Sequence, residues 1–432
     1  MKKILLNTIT PSHEKVFLMV LFFMFINQFH RLLFLRPIWA LLPEHYLLEM
    51  LFYLVIPLIL MPKTKSLYKD LLFPNVLKLY FWLIFVNIVT CFIYRGQSPL
   101  VSIYGWGTFF MILYYPVFMN NNYNSKFWEK ILLSLYIFYL ICYFCQYFFR
   151  MSGVQLFVLD TTMEELEKSS IVRLYADGIL SLGVFYCLNK WFTKCGGIYK
   201  YLFFVGMIAE LLLTTRVRYV ALPIACIYFL YKCLGFSTKM FWILILSFGL
   251  LVGLLQTETA QDRINYVIEK SERQSFDNES YVRVLLIDYF ENQHFTSPAE
   301  RVLGSGMPKL HPSNPNLALS KYSKQMSALF TDYDFYCFDM GYLGLTWLAG
   351  IPFTLLLIIL QICIIRKKVP KEYLYLGVWE IYLLISGWFN EEVFGFTNLI
   401  CQVLALTILT TVIKENKEGK YIVLPDKTVE RV

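Results

Sequence analysis

Three apolar runs, "VFLMVLFFMFINQF", "ILLSLYIFYLICYFCQYFF" and "FWILILSFGLLVGLL", decide the solvent in which this chain folds. They approach or reach the ~20 residues a helix needs to cross a bilayer. In hydrocarbon each backbone N–H and C=O must find its partner within the chain, which a helix achieves. The composition agrees: 57% hydrophobic, 16% charged and a mean hydropathy of +0.53 exclude a soluble globular protein. The sequence predicts an all-α fold, a polytopic transmembrane helical bundle forming one integral membrane domain over residues 1–432. The first run is followed by further spans and has no Ala-x-Ala-type cleavage site, so it reads as a retained helix and not as a signal peptide.

Windows of membrane length predict about twelve spans, over residues 16–34, 46–61, 76–94, 99–119, 128–149, 172–189, 199–214, 217–235, 240–256, 336–364, 373–389 and 394–413. With Lys2 and Lys3 cytoplasmic, the even-numbered connections should carry the basic residues. They do: Lys63, Lys65 and Lys69; Lys126 and Lys130; Lys190, Lys194 and Lys200; Lys232 and Lys239; Arg366, Lys367, Lys368 and Lys371. Lys414, Lys417 and Lys420 put the carboxy tail on the same side, so both termini are expected in the cytoplasm. This alternation accounts for the net charge of +8 without a nucleic-acid partner. The abundant tyrosines and phenylalanines fall in spans or at their ends, where packing and interfacial belts explain them.

The ten cysteines read as packing residues. Cys142 and Cys145 have CxxC spacing, but within an aromatic helix and with no second pair or nearby histidine to complete a zinc site. Neither cofactor nor metal is expected.

A large outer loop is predicted over 257–335, within the same domain. In "SYVRVLLIDYFENQ", Val282, Leu285, Leu286, Tyr289 and Phe290 recur at helical spacing, with Arg283 on the flank of that face. Gly304, Gly306 and three prolines then make a turn-rich segment, read as a turn and not as a phosphate cradle. No internal repeat, low-complexity tract or second domain is evident.

"ELLLTTRVRYVALPIA" sets Arg216 and Arg218 in a short outer turn between spans seven and eight. A basic side chain there can snorkel to lipid phosphates. Yet positive-inside bias disfavours such a position, and interfacial charges facing the bundle mark substrate sites. Arginine's planar fork suits bidentate binding of phosphate oxygens.

The order of these features, "TTRVRY" before a span, "ESYVRVLLIDYF" and "RVLGSGMP" in a large outer loop, then "DMGYLG" opening a span, resembles the O-antigen polymerase and O-antigen ligase superfamily over residues 205–365. The resemblance implies outer-facing arginines that bind the diphosphate of undecaprenyl-linked glycans, roles falling to Arg216 or Arg218 and to Arg283, with Arg301 of the Gly-rich turn among the substrate-binding set. Where family members often carry a His-Asn pair, this chain has the aspartates of "TDYDFYCFDMGYLG". The implied reaction is metal-independent glycan transfer at the outer face of the cytoplasmic membrane, with a flippase and a chain-length regulator as implied partners.

Such chemistry needs stabilisation of charge on the departing diphosphate and an aligned acceptor hydroxyl. A carboxylate can serve as base. The candidates are Asp332, Asp334 and Asp339 where the loop returns, Glu391 and Glu392 in the next outer turn, and His311, with His294 behind it. Each also reads as a solvated loop residue. A ligase shares the architecture. A monophosphate-sugar glycosyltransferase would carry an acidic pair in the first outer loop, where "LRPIWALLPEH" has one Glu. A flippase or transporter would show mid-span charge and related halves, and the spans read as nearly free of such charge.

Overall fold

The computed structural model describes residues 13–26, 50–61, 71–121, 123–151, 155–157, 172, 174, 178–194, 196–213, 216–235, 282–310, 315–333 and 335–418. The described residues are mostly helical. The early elements are α1 (His13–Ile26), α2 (Leu51–Leu60), α3 (Pro74–Arg95), α4 (Pro99–Gly105) and, after a 3-10 stretch over Gly107–Leu113, α5 (Tyr114–Asn120). The middle of the chain forms α6 (Ser125–Met151), α7 (Gly178–Lys194), α8 (Gly197–Leu212) and α9 (Arg216–Leu234). Three shorter helices follow, α10 (Val282–Asp288), α11 (Pro298–Leu303) and α12 (Lys321–Tyr333). The last four are α13 (Tyr342–Ala349), α14 (Ile351–Ile365), α15 (Leu374–Ser386) and α16 (Phe396–Lys417).

Among the described residues, four helices are long and apolar enough to cross a membrane: Pro74–Arg95, Ser125–Phe149, Val217–Leu234 and Thr397–Lys417. The pair Pro99–Gly105 and Gly107–Asn120, bent by 72°, makes a fifth if taken as one broken span. The described part of the chain is thus mostly helical, with several helices apolar and long enough to span a membrane. The predicted span 336–364 is divided at Gly341 and Gly350, both with positive φ, and the span at 240–256 lies outside the described residues.

Local rules set the boundaries. α3 opens with Pro74, whose missing N–H is no loss in a first turn, and closes on Gly96, whose φ of 62° returns an N–H to the Phe92 carbonyl. Helix α4 is capped by Ser98. Burial separates the centre from the rim: 83% of the apolar window of α16 is buried, against 33% in α3, whose Trp82, Phe85 and Phe92 stay exposed. α7 packs along α8 and α15, α9 and α14 lie against α15, and α16 lies against α6 and the 3-10 stretch.

Polar contacts give the bundle two ends. At one, Ser125 of α6 donates its N–H and hydroxyl to Glu415 near the end of α16. Lys190 of α7 pairs with Glu129 at 2.5 Å and lies 4.7 Å from the Tyr373 ring centroid, while Asn189 donates to the Lys371 carbonyl. Lys126, Lys130, Lys371, Lys414 and Lys417 stand in the same terminal turns. At the other end lie the start of α16, where Asn398 closes on Gly178 of α7, the α8–α9 junction and the α15–α16 turn.

Ionisable groups are not confined to the ends. Glu380 of α15 is 1% exposed, beside Gln361 of α14, which accepts the Tyr342 hydroxyl. The span that reads as nearly uncharged therefore buries a carboxyl group. Asn87, midway along α3, is a further polar hub: its amide nitrogen donates to the carbonyls of Leu303 and Leu348, each at 2.9 Å, and its oxygen accepts from the Trp106 indole.

Candidate functional site

The end opposite the lysines gathers the functional candidates. Arg216 is the first residue of α9; its side chain lies outside the described residues. Two residues on, Arg218 is 4% exposed and does not snorkel. Its Nη1 donates to Glu210 of α8 at 2.8 Å and its Nε to Glu392 at 2.6 Å. Glu392 sits in the 3-10 turn Glu391–Val393 between α15 and α16, with its own N–H held by the Asn390 side chain. Tyr382 of α15 lies within electrostatic reach of all three charges. One guanidinium bridging two buried carboxylates fastens three elements to a single point, because each charge out of water needs an opposite charge and directed hydrogen bonds.

The next turn joins the segment expected as the outer loop, residues 282–335, to this point. Tyr336, on the limb returning to α13, donates its hydroxyl to Glu391 at 2.9 Å, and the Tyr342 N–H bonds the Gly387 carbonyl at 2.7 Å. The half-buried Glu391 is therefore held in place at this end. Asp332 of α12 is exposed, as is Asp339 in the 3-10 turn Cys337–Met340. His311 and Asp334 lie outside the described residues.

Arg283 is half-buried on α10. The apolar face predicted around it is narrower than its spacing implies. Leu286 and Phe290 are buried, but Leu285 is 40% exposed, and the helix then widens into a π turn over Tyr289–His294. Phe290 stacks on Trp347 of α13, centroids 4.6 Å apart. Arg301 is half exposed and pairs with Glu291 at 3.2 Å on the same segment, apart from the Arg218 cluster.

The Gly-rich turn is a docking device. Ser305 and Gly306 donate their N–H groups to the carbonyls of Trp347 and Leu348, each at 2.9 Å. Gly304, with φ of 85°, abuts the backbone of Gly350 at the α13–α14 break, and Gly306 abuts the Cys91 side chain. Those carbonyls near the break thus find donors in the Gly-rich turn.

A further arginine escaped the sequence reading. Arg95, last residue of α3, is 10% exposed, pairs with the fully buried Glu300 of α11, and donates to the His294 carbonyl at 2.5 Å. Its signal was present: a basic residue in an odd-numbered connection, against the alternation. Glu210 had one as well, a lone acid in an apolar span eight residues before Arg218.

His294 is 2% exposed, and its Nε2 has no partner among the described residues. Burial, then the Arg95 guanidinium, press its pKa from 6.5 down to about 3. The undocked segment therefore takes up a proton below about 6.5 that the docked one refuses, so docking is at full strength above that pH and weakens as pH falls towards 3. At about pH 5.5 the expected loss is on the order of 1 kcal/mol. Amide exchange of residues 289–310, corrected for intrinsic rate, should accelerate accordingly, and His294→Phe should flatten the profile. An unchanged wild-type profile between these pH values would remove His294 from the docking account.

Among the described residues no cluster of His, Cys, Asp and Glu has the arrangement of a metal site, and no disulfide joins the cysteines. Compared with known proteins, the chain matches no family model and no curated protein.

Proposed function

We propose that this protein polymerises undecaprenyl-diphosphate-linked oligosaccharide repeat units into O-antigen, capsular or exopolysaccharide, as a metal-independent glycosyltransferase at the outer face of the cytoplasmic membrane. One observation carries the reading: the α8–α9 junction bearing Arg216 and Arg218 is tied through Glu392 and Glu391 to the returning limb of the segment that bears Arg283, at the end opposite the lysines. In this reading the chain makes about twelve passes, with the lysine end cytoplasmic.

The division of labour follows from Arg218. With its Nε and Nη1 committed to Glu392 and Glu210, it fixes the site's frame, and the diphosphate falls to Arg216 and Arg283. Transfer forms a bond between the acceptor oxygen and the anomeric carbon and breaks the bond from that carbon to the diphosphate. The departing electron pair comes to rest on phosphate oxygens beside the guanidinium groups, and the hydroxyl proton passes to a carboxylate, for which Glu391 is the positioned candidate. A ligase would use the same frame with another acceptor.

Topology is the first test. Reporter fusions near Lys126 and Arg366 should be cytoplasmic and one at Asn292 external; a cytoplasmic Asn292 would end the reading. The second is polysaccharide length in cells. Arg216→Lys and Arg283→Lys keep the charge but lose the fork, and each should cut polymer about tenfold at unchanged membrane levels. Single repeats retained with long chains lost identify a polymerase; loss of all attached glycan identifies a ligase. Normal ladders from both variants would move the diphosphate site elsewhere.

A further inference from the structure

Arg95 and Gln97 flank Gly96 at the end of α3, and the φ of 62° at Gly96 turns the chain between them. They hold different limbs of the outer segment. Arg95 holds the limb before the Gly-rich turn, through Glu300 and the His294 carbonyl, with its guanidinium 5.4 Å from the Tyr322 ring centroid. The other Glu300 oxygen accepts from the N–H and hydroxyl of Thr296, at 2.7 and 2.8 Å. Gln97, 0% exposed, holds the limb after the turn. Its oxygen accepts from Ser320 at 2.7 Å and Ser323 at 3.0 Å, and its nitrogen donates to the Met307 carbonyl at 3.1 Å.

We propose that Arg95 and Gln97 form a two-point clasp that seats the outer segment on the bundle, making Arg95 a positioning residue for Arg283. The second half of this statement rests on the polymerase reading; the clasp itself does not. α10, which bears Arg283, runs without a break into the π turn that ends at His294, so the Arg95 bond to the His294 carbonyl sets where that unit lies. Without the clasp the segment spends most of its time unseated, and donor affinity falls by the seated fraction. Saturating donor reseats it, so turnover at saturation is kept.

The test uses the full chain in lipid nanodiscs, with lipid-linked repeat units from a polymerase-deficient strain as donor. Arg95→Gln leaves the Glu300 carboxylate buried and unpaired, so protease cleavage within 282–333 should quicken about a hundredfold. Arg95→Gln combined with Glu300→Gln removes both charges and should return cleavage to within about tenfold of the original. Gln97→Ala, which carries no charge change, should quicken it about tenfold. In turnover, Arg95→Gln should raise KM for the donor about tenfold with kcat within about twofold, and add nothing further in an Arg283→Lys background.

Unchanged cleavage in both Arg95→Gln and Gln97→Ala would overturn the clasp. Faster cleavage with unaltered KM, or an undiminished effect in the Arg283→Lys background, would overturn the positioning role. Absence of turnover in the unmodified chain would count against the polymerase reading, and cleavage alone would then decide the clasp.

Discussion

Arg218→Ala is expected to cost about 3–5 kcal/mol and to remove most of the protein from the membrane fraction. The loss exceeds that of the two hydrogen bonds, because Glu210 and Glu392, with side chains 0% and 7% exposed, would share no cation with Arg218. Arg218→Lys should lose less, since it keeps the charge, but a single ammonium cannot reproduce a fork that meets carboxylates from two elements. Neutralising all three, with Arg218→Met, Glu210→Gln and Glu392→Gln together, should recover much of the loss. Thermal unfolding in detergent measures each step. Levels and unfolding temperature for Arg218→Ala close to the unmodified protein would show that the cluster does not hold the fold.

The second large effect belongs to Gly304. A Cβ there meets the backbone of Gly350, which cannot rotate away as a side chain would, and φ of 85° is strained for any L residue. Gly304→Ala should therefore unseat the turn at a cost of about 3 kcal/mol or more. Cleavage within the outer segment should quicken while α6, α7 and α16 keep their protection. Equal protection of the segment in Gly304→Ala and unmodified protein would mean that the backbone-to-backbone seat is not needed.

The parts of this architecture legible in sequence are those governed by local composition. Apolar windows locate α3, α6, α9 and α16, since transfer to hydrocarbon is summed over neighbouring residues. Several lysines of the alternating pattern do lie at one end of the bundle, where Asn189 bonds the Lys371 carbonyl and Lys190 the Glu372 carbonyl. Partnerships are another matter. Arg218 finds Glu392 across 174 residues, and no periodicity carries that information. The same holds for Arg95, whose meaning depends on Glu300. The helix breaks at Gly341 and Gly350 were hidden for a different reason: their flanks are apolar enough to read as one span, while the positive φ of each glycine and the packing of Gly304 against Gly350 are tertiary features.

Asn87 adds a matter of timing. Its amide waits on two carbonyls, Leu303 and Leu348, the second 261 residues downstream. During synthesis α3 is therefore inserted long before its central polar group can be satisfied, and an unmet amide in hydrocarbon costs several kcal/mol. The nascent chain must carry that debt through insertion of every intervening helix, with Trp106 as its one early partner. Assembly of the outer segment is then a closing step, taken only after α13 has arrived. A chain stalled before residue 348 lacks the second carbonyl and leaves that Asn87 bond unmade.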